Sequence, residues 1–374
     1  MMELLYENKN IPAHLAHRIK ETKELHNFFD ISFDGIKPNN YCGFLQIENQ
    51  AYFIVPKISQ EDEKNLDIFL YMLMYAYDIN LSYEHLASFE SLRHRLFEIF
   101  IRYFTDTLLK ELKRGIFKRY ITLEENLKVL KGKYLIEKNI TNFYCQNLYC
   151  EYDEFSIDND LNRFFLFAIK IFQKFSSYPN LNRCEAVLDE VQSLHININR
   201  HHINFDRINR RYEKSYKLAM MLLKKLIPLP SKSQDESFAF LFDMGEVFER
   251  FIGRIYKEID SATELQAEKN YGSLKLRPDI ITKNTIIDTK YKKVKNRDDL
   301  IAHDKYQMFV YGTNFEIKNT MLLYPKHLLY VDEDFELGED EKTINLKMRT
   351  IDLYSEKKFE EYIKEIKKRL KEIK

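Results

Sequence analysis

Two aspartates, Asp279 and Asp288, stand nine residues apart in RPDIITKNTIIDTKYKK, residues 277 to 293, and Lys290 follows the second by two. Carboxylates and an amine are the groups that hold a divalent cation and orient a water, provided the fold brings them together. The triplet D-x-K says little alone, since DEK recurs in charged runs at 62 to 64 and at 340 to 342. Around Asp288 the sequence is NTIIDTKY, a strand pattern, so Ile286, Asp288 and Lys290 share one face and Thr289 points the other way. With Lys283 and Asn284 as a two-residue turn, Thr282 meets Thr285, Ile280 meets Ile287 and Asp279 meets Asp288. Opposed Cβ atoms lie about 4.5–5.5 Å apart, and like charges there repel unless something compensates. A divalent cation compensates, and two carboxylates with open water positions suit Mg²⁺. Lys-Asn is a poorer type I′ turn than Asn-Gly, and a one-residue slip would send one aspartate to the opposite face. The competing reading is a surface hairpin with scattered charges, against which the isoleucines beside each aspartate argue.

Further groups can be placed near this pair. In DMGEVFERFIGRIYKE the apolar positions Met244, Val247, Phe248, Phe251, Ile252 and Ile255 form one helical face, with Glu249 at its flank as a third metal ligand. Glu246 is the rival, and an i,i+4 pair of Glu246 with Arg250 is the simpler account of it. In YQMFVYG, Gln307 and Tyr311 lie four apart on one helix face, where they reach a DNA strand or bridge to the site, with core packing the other reading of Tyr311.

The elements that must position these residues follow from pattern. The first 58 residues read as β-rich, with YCGFLQI and QAYFIVPKI as two strands around a polar break at Glu48 and Asn49. After the charged link at 59 to 65, residues 66 to 226 read as mainly helical, apart from a mixed stretch at 116 to 150 where basic and aromatic residues interleave. That stretch suits phosphates or an acidic partner, and equally a solvated face. IPLPSKSQDES, residues 227 to 237, marks a boundary, so the expected domains are 1–230 and 235–374. Beyond it the pattern gives a helix from 238 to 258, strands near 263 to 267, 274 to 282 and 285 to 291, a helix near 299 to 313 and the strand TMLLYP, an α-β-β-β-α-β order. The strand TINLKMRTI follows, and a closing helix with Phe359, Ile363, Ile366, Leu370 and Ile373 on one stripe should pack on the sheet. The fold class is thus a multidomain mixture of α+β and α/β parts.

With 374 residues, 45% of them hydrophobic, the chain can bury more than one core. Fifty-eight basic residues against 58 acidic leave no global field for nucleic acid, so any such contact is local. No apolar run approaches the roughly 20 residues that span a bilayer and the N-terminus lacks the apolar core of a signal peptide, which makes the cytoplasm the default. Cys42, Cys145, Cys150 and Cys184 form no CxxC pair and read as free thiols, with Cys145 and Cys150 only half of a metal site at most. No GxxxxGK[ST] loop is present.

The ordered set LFDMGEVFERF, RPDII, IIDTKYKK and YQMFVYG, preceded by YCGFLQI, VPKI, KGKYL and INRRYEKSYKLA, resembles the PD-(D/E)xK nucleases, and within them the McrC subunits of McrBC-type and LlaJI-type restriction systems. The resemblance spans most of the chain. It implies a restriction-endonuclease-like core in which Asp279, Asp288 and Lys290 match the catalytic triad, with Glu249 and Gln307 as accessories. It departs at Thr289, where the family usually has Ala, and at Gly245, which interrupts the first nuclease helix. It also implies a separate McrB-like AAA+ GTPase hexamer that recognises double-stranded DNA and uses the GTP, and an N-terminal domain that docks on that ring and stimulates it. The expected function is a Mg²⁺-dependent endonuclease subunit. The alternatives are a regulatory scaffold with weak nuclease activity and a stand-alone RecB-like repair nuclease.

Overall fold

Apolar residues on both faces of a short run make a fully buried strand, and SFAFLFD is such a run. The structure, a computed structural model, describes residues 2–58, 62–79, 89–142, 146–230, 237–294, 302–327, 330–340 and 343–373. In it Ser237–Asp243 is a strand, with Ala239, Phe240, Leu241 and Phe242 all buried. It pairs antiparallel with Tyr41–Ile47, from Phe238 opposite Gln46 to Asp243 opposite Tyr41. The helix expected from 238 therefore starts only at Met244, because a continuous apolar run reads alike as buried helix and buried strand.

Tyr41–Ile47 also forms a hairpin with Gln50–Val55, whose other edge takes Glu3–Tyr6 in parallel. Leu226–Leu229 completes this five-stranded sheet beside Ser237–Asp243. Gly43 has φ 140°, and a Cβ there would lie 2.3 Å from the Phe240 carbonyl oxygen. The two strands approach so closely that only glycine fits.

The chain then runs through the helix Met244–Ile259, the strands Glu264–Leu265, Ile280–Ile281 and Thr285–Thr289, the helix Ala302–Asn314 and the strand Asn319–Pro325. These strands belong to one six-stranded sheet, with Thr285–Thr289 between antiparallel Ile280–Ile281 and parallel Asn319–Pro325, and with Ile344–Ile351 and Asp332–Leu337 beyond. Expected strand 274 to 282 is split: Leu274–Leu276 pairs with Lys269–Tyr271 in a separate hairpin, and Arg277 and Pro278 intervene. Proline has no N–H for a ladder, which ends the run. The helix Ala302–Asn314 packs so near Ile344 that a Cβ on Gly312 would meet its side chain at 2.8 Å.

The closing helix Phe359–Glu372 buries Tyr362, Ile363, Ile366 and Leu370 as its stripe requires. Its aromatic residues meet helices: Phe359 and Tyr362 lie against Tyr71 of Asp62–Ala76, and Tyr362 against Phe251. An amphipathic stripe fixes which face is buried and leaves its partner open.

The chain divides into two compact units, residues 1–94 with 227–374, and residues 95–226. The expected division between 230 and 235 differs, because the strand Ser237–Asp243 joins the N-terminal sheet across almost the whole sequence; residues 231–236 lie outside the described residues. The unit 95–226 is also less helical than expected. It carries an antiparallel sheet of Arg119–Leu127, Leu148–Ser156 and Lys133–Tyr134 besides the helices Asp160–Phe172, Pro179–Val187 and Glu213–Lys225. Cys42, Cys150 and Cys184 are free and buried, and Cys145 lies outside the described residues.

Gly43→Ala should lower stability by about 2 kcal/mol or more, since it adds a clash to a strained φ. Urea unfolding of the whole chain measures this, and an unchanged midpoint would contradict the pairing of residues 41–47 with 237–243.

Candidate active site

The hairpin that carries the aspartates is closed by a side chain. Thr282 N–H donates to the Thr285 carbonyl at 2.9 Å, the Thr282 hydroxyl donates to the same oxygen at 3.0 Å, and the Thr285 N–H donates to that hydroxyl at 3.1 Å. Neither Lys283 nor Asn284 is among the residues with positive φ, so the turn is not type I′. Thr282 does what Asn-Gly would have done, and the register is as read: Ile280 opposite Ile287, Ile281 opposite Ile286. The ladder stops one step short of the aspartates, for Asp279 lies in a bend after Pro278.

Asp288 is 2% exposed. Gln307 Nε2 donates to its Oδ1 at 3.2 Å, and the Lys290 ammonium lies 2.6 Å from Oδ2. That approach is an ion pair by distance without the direction of a hydrogen bond, and Oδ2 has no other partner among the described residues. Lys290 also donates to Gln307 Oε1 at 3.1 Å, and its own N–H is anchored on Leu323 at 2.9 Å. Gln307 is thus fully engaged: its amide also donates to the Tyr311 hydroxyl at 3.0 Å, which donates in turn to the Arg277 carbonyl at 3.3 Å. The bridging reading of Gln307 and Tyr311 describes the contacts, and Tyr311, 8% exposed, belongs to the core as well.

Asp279 uses Oδ2 to accept from the Thr289 N–H at 2.7 Å and the Thr289 hydroxyl at 2.8 Å. The residue that departs from the resembled pattern thereby fixes the first aspartate. Gly245 interrupts nothing, since it lies in the first turn, where its N–H donates to the capping Asp243 at 2.8 Å and a Cβ would stand 3.1 Å from that oxygen.

Glu249 is bound by the Gln266 side chain, whose backbone N–H donates to the Asp279 carbonyl at 2.8 Å. Glu246 pairs with Arg250 at 3.0 Å, the simpler of its two readings. Among the described residues no three His, Cys, Asp or Glu side chains converge as a metal site, so Glu249 is not gathered with the two aspartates as a third ligand.

The electrostatics suit a cation. Burial, then the charge of Asp279, raise the Asp288 pKa to about 7, against which Lys290 acts. Burial also raises Asp279, opposed by the Thr289 hydrogen bonds. Burial and the neighbouring Asp279 raise Glu249. For Lys290 burial acts downward, but the carboxylates of Asp288, Asp304 and Asp279 together outweigh it, and the ammonium is held protonated. Two carboxylates that resist ionising together, one with a buried oxygen lacking a hydrogen bond, fit a hard divalent ion that keeps most of its waters.

Several site residues carry no signal of their own in the sequence. Asp304, 3% exposed, pairs with the Lys292 ammonium and raises the Asp288 pKa further. Tyr291 donates to the buried Glu7 at 2.8 Å, and Glu7 also accepts from the Lys57 N–H at 3.0 Å. A contact between residues 7 and 291 leaves no periodicity to find.

A model of the family described as McrBC 5-methylcytosine restriction system component matches residues 36–325. A chain in the refined half-complex from a tetradecameric assembly of Thermococcus gammatolerans McrB AAA+ hexamers with bound McrC is 22% identical, with 100% of each chain covered and a TM-score of 0.56, a likeness of fold. A chain in the cryo-EM structure of the Thermococcus gammatolerans McrBC complex is 24% identical over 68% of this chain and 87% of that one, with a TM-score of 0.48. No curated protein matches the sequence.

Asp288 is protonated in the metal-free fold below its raised pKa, whereas an unfolded Asp ionises near pH 4. The charged form costs the fold stability as pH rises from about 4 through 7, and a cation removes that cost. Addition of Mg²⁺ should therefore raise the melting temperature more at pH 8 than at pH 5.5, and should do little to Asp288→Asn. Equal shifts in both proteins would place the cation elsewhere.

Proposed function

The chain belongs to the family of McrBC 5-methylcytosine restriction system components, and on that premise we propose that it is the DNA-cleaving subunit of such a system. The observation that carries the reading is the cluster of Asp288, Lys290 and Gln307, with Asp279 close enough for its charge to act on Asp288. The element order from Met244–Ile259 to Asn319–Pro325 supports a PD-(D/E)xK core, with the aspartates where the antiparallel hairpin meets the parallel strands.

Mg²⁺ held by Asp279 and Asp288 would supply a more acidic water and neutralise charge on the phosphodiester. The water oxygen bonds to phosphorus, the bond to the departing sugar oxygen breaks, and that oxygen takes up a proton. Lys290, a protonated amine with its side chain 26% exposed, points a donor at the attacking water and at the charge that builds on the phosphoryl oxygens. Gln307 holds the Lys290 amine beside Asp288 by accepting from Lys290 while donating to the carboxylate. Thr289 keeps Asp279 aimed by two donors and leaves its second oxygen available.

The partner in this reading is an McrB-like AAA+ GTPase hexamer, with GTP used there and DNA brought to this chain. The McrB hexamers with bound McrC in the similar assembly support it. So does the formal net charge of zero, which leaves DNA recruitment to another subunit.

With the GTPase present, Asp288→Ala and Lys290→Ala should each lower the DNA cleavage rate by about 10³-fold, the scale of a lost transition-state donor or ligand, while the GTP turnover of the complex stays near wild type. Cleavage at the wild-type rate would refute the site; lost cleavage with unchanged GTP turnover separates nuclease from scaffold.

A further inference from the structure

Arg277 opens the RPD stretch, and nothing in the cluster above uses its side chain. Its backbone is held on both sides: the Tyr311 hydroxyl donates to its carbonyl at 3.3 Å, and Pro278 restricts it to extended conformations. The side chain is exposed and makes no hydrogen bond or ion pair with any described residue. Lys275 pairs with Glu268 at 3.0 Å, Lys269 lies over the Phe315 ring at 5.0 Å, Lys292 holds Asp304 and Arg250 holds Glu246. Arg277 nevertheless stands close enough to Asp279 and Glu249 for its charge to act on both carboxylates.

A guanidinium on a fixed backbone, beside carboxylates yet not paired to them, is placed for an anion that arrives from outside. Its planar fork of donors matches the oxygens of a phosphodiester better than a lysine does. We infer that Arg277 is a substrate-positioning residue that clamps a backbone phosphate of DNA at or next to the one that is cut. The inference rests on the nuclease reading above. It gives the free chain a phosphate contact of its own, made before any cation binds. In the metal-free protein Arg277 then draws the strand to Asp279, and Lys290 and Gln307 act only once it is seated.

The test compares wild type, Arg277→Met and Arg277→Lys, with Asp288→Ala as the control. Binding of a fluorescent DNA duplex to the full chain is titrated in EDTA at several salt concentrations, and cleavage by the complex with its GTPase gives KM and kcat. Each phosphate contact contributes about 0.9 to the slope of log affinity against log salt. Arg277→Met should lose about one such contact and raise KM about tenfold, with kcat changed far less. Arg277→Lys should keep the slope and recover only part of the KM, because it keeps the charge and loses the fork. Wild-type slope and KM in Arg277→Met, or no duplex binding by wild type at low salt, would overturn the inference. If Asp288→Ala abolishes cleavage in that same experiment, the nuclease reading stands without it; if Asp288→Ala cuts normally, the reading itself falls.

Discussion

Asp288 has to stay buried and ionisable beside another carboxylate, and the surrounding structure answers that demand. A carboxylate out of water is costly unless charge or hydrogen bonds replace the lost hydration. Here the replacements come from separate elements. Lys290 follows on the same strand, Gln307 reaches over from the helix Ala302–Asn314, and Asp279 is turned toward Thr289. Thr282 closes the hairpin that puts the two aspartates in line. The compensation is incomplete, as the raised pKa of Asp288 records. In the function proposed here, that unfavourable energy is what a bound cation would recover.

The strand that carries Asp288 is steadied from the far end of the sequence. Tyr291, one residue past Lys290, donates to Glu7, which is 3% exposed and lies just after the strand Glu3–Tyr6. Burial raises the Glu7 pKa, and the hydrogen bonds from Lys57 and Tyr291 work against that rise. The strands Glu3–Tyr6, Tyr41–Ile47, Gln50–Val55 and Ser237–Asp243 and the sheet that bears the site belong to one compact unit, 1–94 with 227–374. Expressing residues 235–374 alone would remove the four other strands of the sheet that holds Ser237–Asp243, along with the partner of Tyr291.

What could be read from the sequence was local. The alternation in NTIIDTKY and the count across Lys283 and Asn284 gave the register of the hairpin, because a period of two leaves only two faces to choose from. The stripe of Met244, Val247, Phe248, Phe251, Ile252 and Ile255 gave the buried face of its helix. What could not be read was any partner chosen by the tertiary fold. SFAFLFD looked helical since its apolar residues occupy both parities, and its strand identity depends on Tyr41–Ile47 nearly 200 residues away. Thr289 carries no signal of its role in the sequence, because its hydroxyl meets Asp279 only in the fold. Asp304 and Glu7 are single acidic residues in ordinary surroundings, and only burial sets them apart.

The central claim is that Asp279 and Asp288 repel each other in the metal-free protein, and a double-mutant cycle measures that coupling. Unfolding free energies of wild type, Asp279→Asn, Asp288→Asn and the double variant, taken in EDTA at pH 8, cancel the hydrogen bonds that each substitution loses separately. Repulsion predicts a double variant less stable than the sum of the two single effects, since either substitution alone already relieves it. Strict additivity would contradict the account, because the two carboxylates would then not share a site.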